Sequence, residues 1–287
     1  MNVADDPAIR HAFTAFGGAR CEVIVCDAAQ DDVSSALADT YAFERRLTRF
    51  DPGSELSRFN AAAGSPVPVS ALLGALLRAC LDAYELSAGL VNAACLPALI
   101  GAGYDRSITE LRRHPAARAR GVPSAAVPPL PAVLDVGDGW ARLAAGCAVD
   151  LGGVGKGWLA DTLCERFDNA AINLGGDIRV RGEGPEGAGW SATLCDGSTV
   201  LLRDAGVATS GSAGRSWAGG HHLIDPRTAA PARTLLSAVS VVAASTLRAE
   251  VLAKGGCLVG PAVAEAWLRG RGAARHALVL NAGTLAI

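Results

Sequence analysis

Lysine is almost missing from this chain. Of its 26 basic residues only Lys156 and Lys254 are lysine, and every other one is arginine. A compact ammonium and a planar guanidinium are not interchangeable beside a phosphate or a metal, so the two places that kept lysine are candidate site positions. A charge excess is missing as well: 26 Lys+Arg against 28 Asp+Glu gives a net charge of −2, which offers no long-range attraction to nucleic acid or anionic lipid. No uninterrupted apolar run has membrane-spanning length, and the opening MNVADDPAIR is acidic rather than a basic secretory leader. These absences predict no nucleic-acid partner, no membrane insertion and a cytoplasmic location. CxxC pairs are absent too. The cysteines at 21, 26, 80, 95, 147, 164, 195 and 257 have mostly apolar neighbours, so they read as reduced core residues rather than disulfides or metal ligands. There is no internal repeat of fixed period.

What is present is enough apolar sequence for a large core. With 287 residues, 50% of them hydrophobic, one domain spanning 1–287 is the default, and the Pro-, Ala- and Arg-rich stretch 115–131 is a candidate lobe boundary within it. The chain is organised around VDLGGVGKGWLAD, residues 149–161, which reads as a strand, a tight loop and a helix start. Gly152, Gly153, Gly155 and Gly157 predict backbone at positive φ and close approach to a ligand, and a loop of this kind ahead of a helix offers N–H groups to an anion. It is not a GxxxxGK[ST] phosphate loop, because Asp150 replaces the first glycine and Gly157 the hydroxyl residue. The loop alone leaves a structural turn and a phosphate site equally open.

Taken in order, residues 12–26 predict a hairpin strand after a glycine pair. A helix then begins at Asp31 or Asp32, with Val33, Leu37, Tyr41 and Leu47 on its apolar face. Asp51 to Ser54 form a turn, Ser54 caps the segment after it, and Phe50 beside the turn is either core filler or a stacking platform. A second helix covers 70–88 with Leu72, Leu73, Leu76, Leu77 and Leu81 on one side. Asn92 is the lone polar residue of an apolar run, a pattern typical of a hydrogen-bonded core residue. Strands pair around Gly137–Gly139, and 171–182 repeats the strand-and-glycine device with Gly175, Gly176 and Asp177. Residues 190–209 predict more antiparallel strands. A polar loop at 210–228 carries Ser210, His221, His222, Asp225 and Thr228, and a strand and then a helix from about Thr246 come next. The tail alternates weakly.

Six segments converge on one family. FDPGSELSRFN, GLVNAACLPALIGAGYDRS, VDLGGVGKGWLAD, INLGGDIRVRG, ATSG with HHLIDPRT, and AEVLAKGGCLVG stand in the order of the ApbE-type flavin transferases, which the chain resembles from about residue 12 to 260. The resemblance implies an α/β (α+β) fold, antiparallel sheets flanked by helices, with FAD in a cleft between two lobes. It implies transfer of the FMN half of FAD to a Ser or Thr hydroxyl of an acceptor flavoprotein, with release of AMP and a need for Mg²⁺. By position in those motifs, Phe50 covers the flavin ring, Asn92 and Ile224 line the flavin site, and Asp150 and Lys156 contact FAD. His222 lies near the reacting phosphate, and Gly153, Glu250 and Ala253 fall at the metal positions. Phosphoryl transfer needs charge neutralisation and positioning more than covalent help, so Lys156 serves it as a cation and His222 as the base for the incoming hydroxyl. Asp225 reads as a turn former before Pro226.

The sequence departs from the family pattern at three places. Asn92 with two alanines replaces an Asp-Pro-Thr segment, TAA at 228–230 replaces Thr-Gly, and in the last motif Glu250 replaces Asp while Lys254 replaces a metal-binding Thr. Two readings of Glu250 and Lys254 stay open: a surface i,i+4 ion pair, or an ammonium that partly replaces Mg²⁺. FAD hydrolysis to FMN and AMP, and non-catalytic FAD binding, are the alternatives to transfer.

Overall fold

A computed structural model describes residues 8–26, 28–113, 126–217 and 220–281. Its frame is one seven-stranded sheet made of β1 (Ala8–Ala15), β2 (Ala19–Cys26), β3 (Ala170–Leu174), β4 (Asp177–Arg181), β5 (Ala205–Gly211), β6 (Leu236–Ala243) and β7 (Arg275–Leu280). Neighbours in the sheet are neighbours in this series, and every pair is antiparallel. The strands alternate between two cores, as the period of two requires. On β2, Cys21, Val23 and Val25 face one core while Ile24 and Cys26 face the other.

Helices cover the first face. They are α1 (Gln30–Leu47), α2 (Glu55–Ala61), α3 (Ala71–Leu86), α4 (Gly155–Cys164), α5 (Thr246–Val259) and α6 (Pro261–Gly270). Leu73, Leu76 and Leu77 of α3 and Leu163 of α4 are fully buried with Ile172 and Leu174 of the sheet. Farther along the same face, Leu252, Ala253 and Cys257 of α5 pack with Leu268 of α6 on Val239 and Val241. A two-stranded ribbon, Trp190–Thr193 with Thr199–Leu202, covers the opposite face. Ser54 and Ser70 cap α2 and α3, accepting from the N–H of Ser57 and Leu73, as serine at an N-cap should.

The expectations meet this fold unevenly. The hairpin, the second helix, the Gly137–Gly139 turn between strands 134–136 and 140–143, and the 170–209 strands are all present. The buried stripe of α1 is Val33, Ala36, Thr40, Phe43 and Leu47, whereas Tyr41 is 37% exposed. The tail holds a full helix, α6, before its strand. All eight cysteines are free, six of them buried. Of the candidate lobe boundary at 115–131, residues 114–125 lie outside the described residues.

The central loop departs most. None of Gly152, Gly153, Gly155 and Gly157 has a positive φ. Their use is small size: a Cβ on Gly157 would stand 2.8 Å from Leu247 Cα, because α4 crosses the start of α5 at backbone contact. The same crossing is tied by Asp161, whose carboxylate accepts from the N–H groups of Thr246 at 2.8 Å and Leu247 at 2.9 Å, an anion at the positive end of α5. Gly157→Ala forces these backbones apart and is expected to cost about 1–3 kcal/mol, the usual range for overpacking a close contact. Urea denaturation of the two proteins measures it, and equal midpoints would show that the crossing relaxes freely.

Candidate active site

The last residue of the central loop opens α4 at the mouth of a cleft. Three adjoining cavities of about 80, 320 and 340 Å³ share Gly152 and Arg215 in their walls. The first is lined by Asn92, Asp150, Gly153, His222, Ile224 and Lys254. The second has Phe50, Tyr104, Asp150, Lys156 and Arg215. The third joins Lys156, Asp177, Glu250, Lys254, Arg215 and His222. Seven of the eight side-chain positions expected from sequence thus meet here, together with Gly153. Ala253 does not: it is fully buried in the α5 core.

One wall is aromatic. Tyr104 stacks on Trp217 with ring centroids 5.3 Å apart, and Phe50, 42% exposed, tilts against Tyr104 at 5.9 Å. Arg49 lies over both Phe50, at 4.2 Å, and Tyr104, at 4.5 Å, while its Nε stands 3.8 Å from the Asp150 carboxylate. Such a face suits a flat conjugated ring. Phe50 is therefore not core filler: its ring is 42% exposed on this wall. Asn92 keeps the core role: its side chain caps the turn at Ala94 and donates to Pro128 O at 2.9 Å.

The opposite wall is charged and centred on Glu250, 1% exposed. Its Oε1 accepts from Lys254 Nζ at 2.9 Å and has Lys156 Nζ at 3.6 Å, and its Oε2 accepts the Gly157 N–H at 3.1 Å. Lys156 also donates to Asp177 in a short ion pair. Glu250 and Lys254 are thus not a surface pair, since the lysine side chain is only 16% exposed. Burial alone would raise the Glu250 carboxyl, but Lys254 and then Lys156 hold it down to about 2. Burial pushes Lys156 down to about 8 against the pull of Glu250, so it remains an ammonium at neutral pH.

His222 sits beside these cations. Burial, then Arg215 and Lys254, push its imidazole down to about 3, which leaves it neutral. Its Nδ1 is buried without a hydrogen-bond partner among the described residues. Its neighbour His221 is spent on structure, with Nε2 at 3.0 Å from Ala232 O and Nδ1 accepting from Leu223 N–H. Asp225 is a turn residue, bound by the Arg227 guanidinium and its backbone N–H.

The metal positions do not assemble into a divalent-cation site. Glu250 is the one carboxylate among them, Gly153 and Ala253 have no ligand beyond a backbone carbonyl, and the Lys254 ammonium, 2.9 Å from Glu250 Oε1 with Lys156 Nζ at 3.6 Å from the same oxygen, stands where a cation would be repelled. Magnesium requires near-octahedral oxygen ligation. Among the described residues no group of three or more His, Cys, Asp or Glu is arranged to hold a metal.

A sequence model described as the ApbE family matches residues 18–278. The chain belongs to the ApbE family. Among curated relatives, the FAD:protein FMN transferase of Treponema pallidum is 30% identical over 258 residues, covering 77% of this chain and 70% of the relative. The Haemophilus influenzae protein of the same name is 24% identical, with 80% and 72% covered. In fold the chain is similar to the flavinyl transferase ApbE of Pseudomonas stutzeri, apo form, with a TM-score of 0.81, 22% identity and 99% and 94% of the chains covered. The flavin transferase ApbE of Vibrio cholerae gives a TM-score of 0.72 at 19% identity, with 96% and 95% covered.

Placed in the ApbE family, this cleft contains four residues that the motifs alone do not single out: Arg49, Tyr104, Arg215 and Trp217. Arg49 adjoins a quoted segment and Tyr104 lies within one, whereas Arg215 and Trp217 fall between two of them, and tryptophan is scarce enough here for Trp217 in a polar loop to be a signal. The charged wall also makes a stability prediction. With Glu250 ionised down to about 2 in the folded chain against 4.5 ordinarily, its contribution is full above about pH 4.5 and is lost as pH falls through about 2. Glu250→Gln leaves two buried ammoniums underpaired and is expected to cost about 3–5 kcal/mol at neutral pH. That gap should close between pH 4.5 and 2 in paired denaturation curves, and a gap constant across that range would mean the carboxylate is not ionised in the folded protein.

Proposed function

We propose that this protein transfers the FMN moiety of FAD to a protein, the acceptor group being a Ser or Thr hydroxyl and AMP the leaving group. A single domain carries the activity. The observation that supports it most is the junction of the two walls: an aromatic and guanidinium face for a flavin ring runs directly, through Gly152 and Arg215, into a cluster of two lysines and a neutral histidine.

On this reading the work divides as follows. Phe50 and Tyr104 hold the isoalloxazine ring, with Asp150 and Ile224 at its edge. Lys156, Lys254 and Arg215 face the diphosphate. The acceptor oxygen attacks the FMN-side phosphorus, the bond from that phosphorus to the bridging oxygen breaks, and the proton of the hydroxyl passes to the His222 imidazole. AMP departs with the bridging oxygen, its new charge met by the ammoniums. Preorganised cations of this kind lower the barrier because they need not reorient as charge moves. His222 is fitted to the role because it is neutral and its Nδ1 has no competing partner among the described residues.

Three outcomes test this reading. FAD binds more tightly than riboflavin in a flavin-fluorescence titration, since the charged wall recognises only the diphosphate; equal affinities would remove that wall from the site. His222→Ala lowers FMN transfer by roughly 10²–10⁴-fold, measured as FMN-sized mass gain on a flavoprotein substrate, with FAD affinity nearly intact. Parallel loss of both would make the histidine a binding group. The third concerns pH. Arg215 and Lys254 hold His222 down to about 3, and a bound diphosphate neutralises them. NMR titration of labelled histidine should then place His222 closer to its ordinary 6.5 in the FAD complex than in the free protein. AMP release without acceptor, at the same rate as with it, would indicate hydrolysis instead of transfer.

A further inference from the structure

The least explained group in the cleft is Lys254. It is one of only two lysines in the chain, and an ordinary helix-surface pair with Glu250 would be served as well by the arginine used elsewhere. The structure places Lys254 beside the central loop, inside the cleft. The side chain is 16% exposed, and its stem lies against the central loop so closely that a Cβ built on Gly153 would be 3.4 Å from Lys254 Cε and 3.6 Å from Cδ. The stem thus passes beside the loop and ends in a compact point charge, which a planar guanidinium does not reproduce.

The ammonium it delivers serves two walls at once. It hydrogen-bonds Glu250 at 2.9 Å, it borders both the His222 cavity and the Lys156 cavity, and it is one of the cations that depress His222. Glu250, the one carboxylate at the expected metal positions, already has the Lys254 ammonium on Oε1 at 2.9 Å and Lys156 Nζ at 3.6 Å from the same oxygen, so positive charge is in place where a metal would bring it. Lys156, Lys254 and Arg215 outnumber Glu250 and Asp177 in the third cavity by one positive charge, which is the sign a diphosphate needs.

Resting on the flavin-transferase reading, we propose that the Lys254 ammonium is the resident cation of the diphosphate subsite, so that this chain binds and cleaves FAD without a divalent metal. Lys254 and Lys156 share Glu250 Oε1, at 2.9 and 3.6 Å, and both line the cavity that His222 also borders, which is where the diphosphate lies on this reading. Charge that a metal would bring is carried by a covalently held group, at the cost of Lewis-acid strength and with no dependence on metal supply.

The test uses the full chain and FAD, read by flavin fluorescence, with excess EDTA or with Mg²⁺. The wild type binds FAD with the same affinity in both conditions. Lys254→Met keeps the stem against Gly153 and removes only the charge, and it weakens FAD binding by roughly 10- to 100-fold, the value of one charged hydrogen bond. Riboflavin affinity does not change. Lys254→Thr frees Glu250 Oε1 and supplies a hydroxyl, and its FAD affinity becomes Mg²⁺-dependent; Mn²⁺ binding followed by electron paramagnetic resonance is absent in the wild type and appears in this variant. Wild-type FAD binding that requires Mg²⁺, or Lys254→Met binding FAD as the wild type does, overturns the proposal and leaves the flavin-transferase reading in place. Failure to bind FAD in either condition overturns both.

Discussion

The fold and the site both hang on one buried carboxylate. Glu250 lies deep in α5, yet it ends at the first turn of α4, where it accepts the Gly157 N–H and gathers both lysines of the chain. An isolated charge in that position would be too costly to keep ionised. It persists because two ammoniums and a backbone donor surround it, and this is possible only where α4 and α5 touch backbone to backbone at Gly157. Asp161, one face away, ties the same two helices in the opposite sense by capping α5 with an α4 side chain. Each helix therefore carries an acidic group that reaches the positive end of the other. The loop 149–154 is then fixed at both ends, and the cleft walls it separates keep their spacing.

The anion expected at this glycine-rich helix start is thus a residue of the protein itself. In sequence the glycines suggest a cradle for phosphate, with freedom in φ as their purpose, but their φ values are ordinary and the α4 start is occupied by Glu250. The phosphate wall is built instead from side-chain cations held in position by that carboxylate. Both lysines of the chain stand on this wall, Lys254 with its stem beside Gly153 and Lys156 beside buried Asp177.

Much of this is legible in the sequence, for physical reasons. Strands and caps are readable because period-two alternation and serine before a helix are local signals, as at Ser54 and Ser70. Site positions are readable because the quoted motifs carry them in order, and Phe50, Asp150, Lys156, His222 and Glu250 do converge. The misses are tertiary. The apolar face of α1 turns on Phe43, which stacks on Trp158 across the core, and no local pattern distinguishes it from Tyr41. Gly260 and Pro261 announce the break between α5 and α6, a C-cap followed by an N1 proline, and the weak alternation of the tail hides it. The burial of Glu250 and Lys254 cannot be read at all. An i,i+4 Glu–Lys pair looks alike on a surface helix and on one packed all round, and only the crossing with α4 decides between them.

That crossing also determines when His222 is a useful base. In the free protein the cation excess beside it keeps the imidazole neutral but very weakly basic. A doubly negative diphosphate reverses the local sign: Arg215 and Lys254 are now screened from the ring, and the nearest new charge favours the imidazolium. On the proposed reading basicity rises only when substrate is in place, so the imidazole proposed as the base is strengthened by the ligand that supplies the phosphorus. The same cations proposed to meet the diphosphate are the ones that depress His222, so on this reading a mutation that removes one of them changes recognition and proton transfer together. The coupling arises from the distances around Glu250, which place both ammoniums on the side of the carboxylate that faces the cleft.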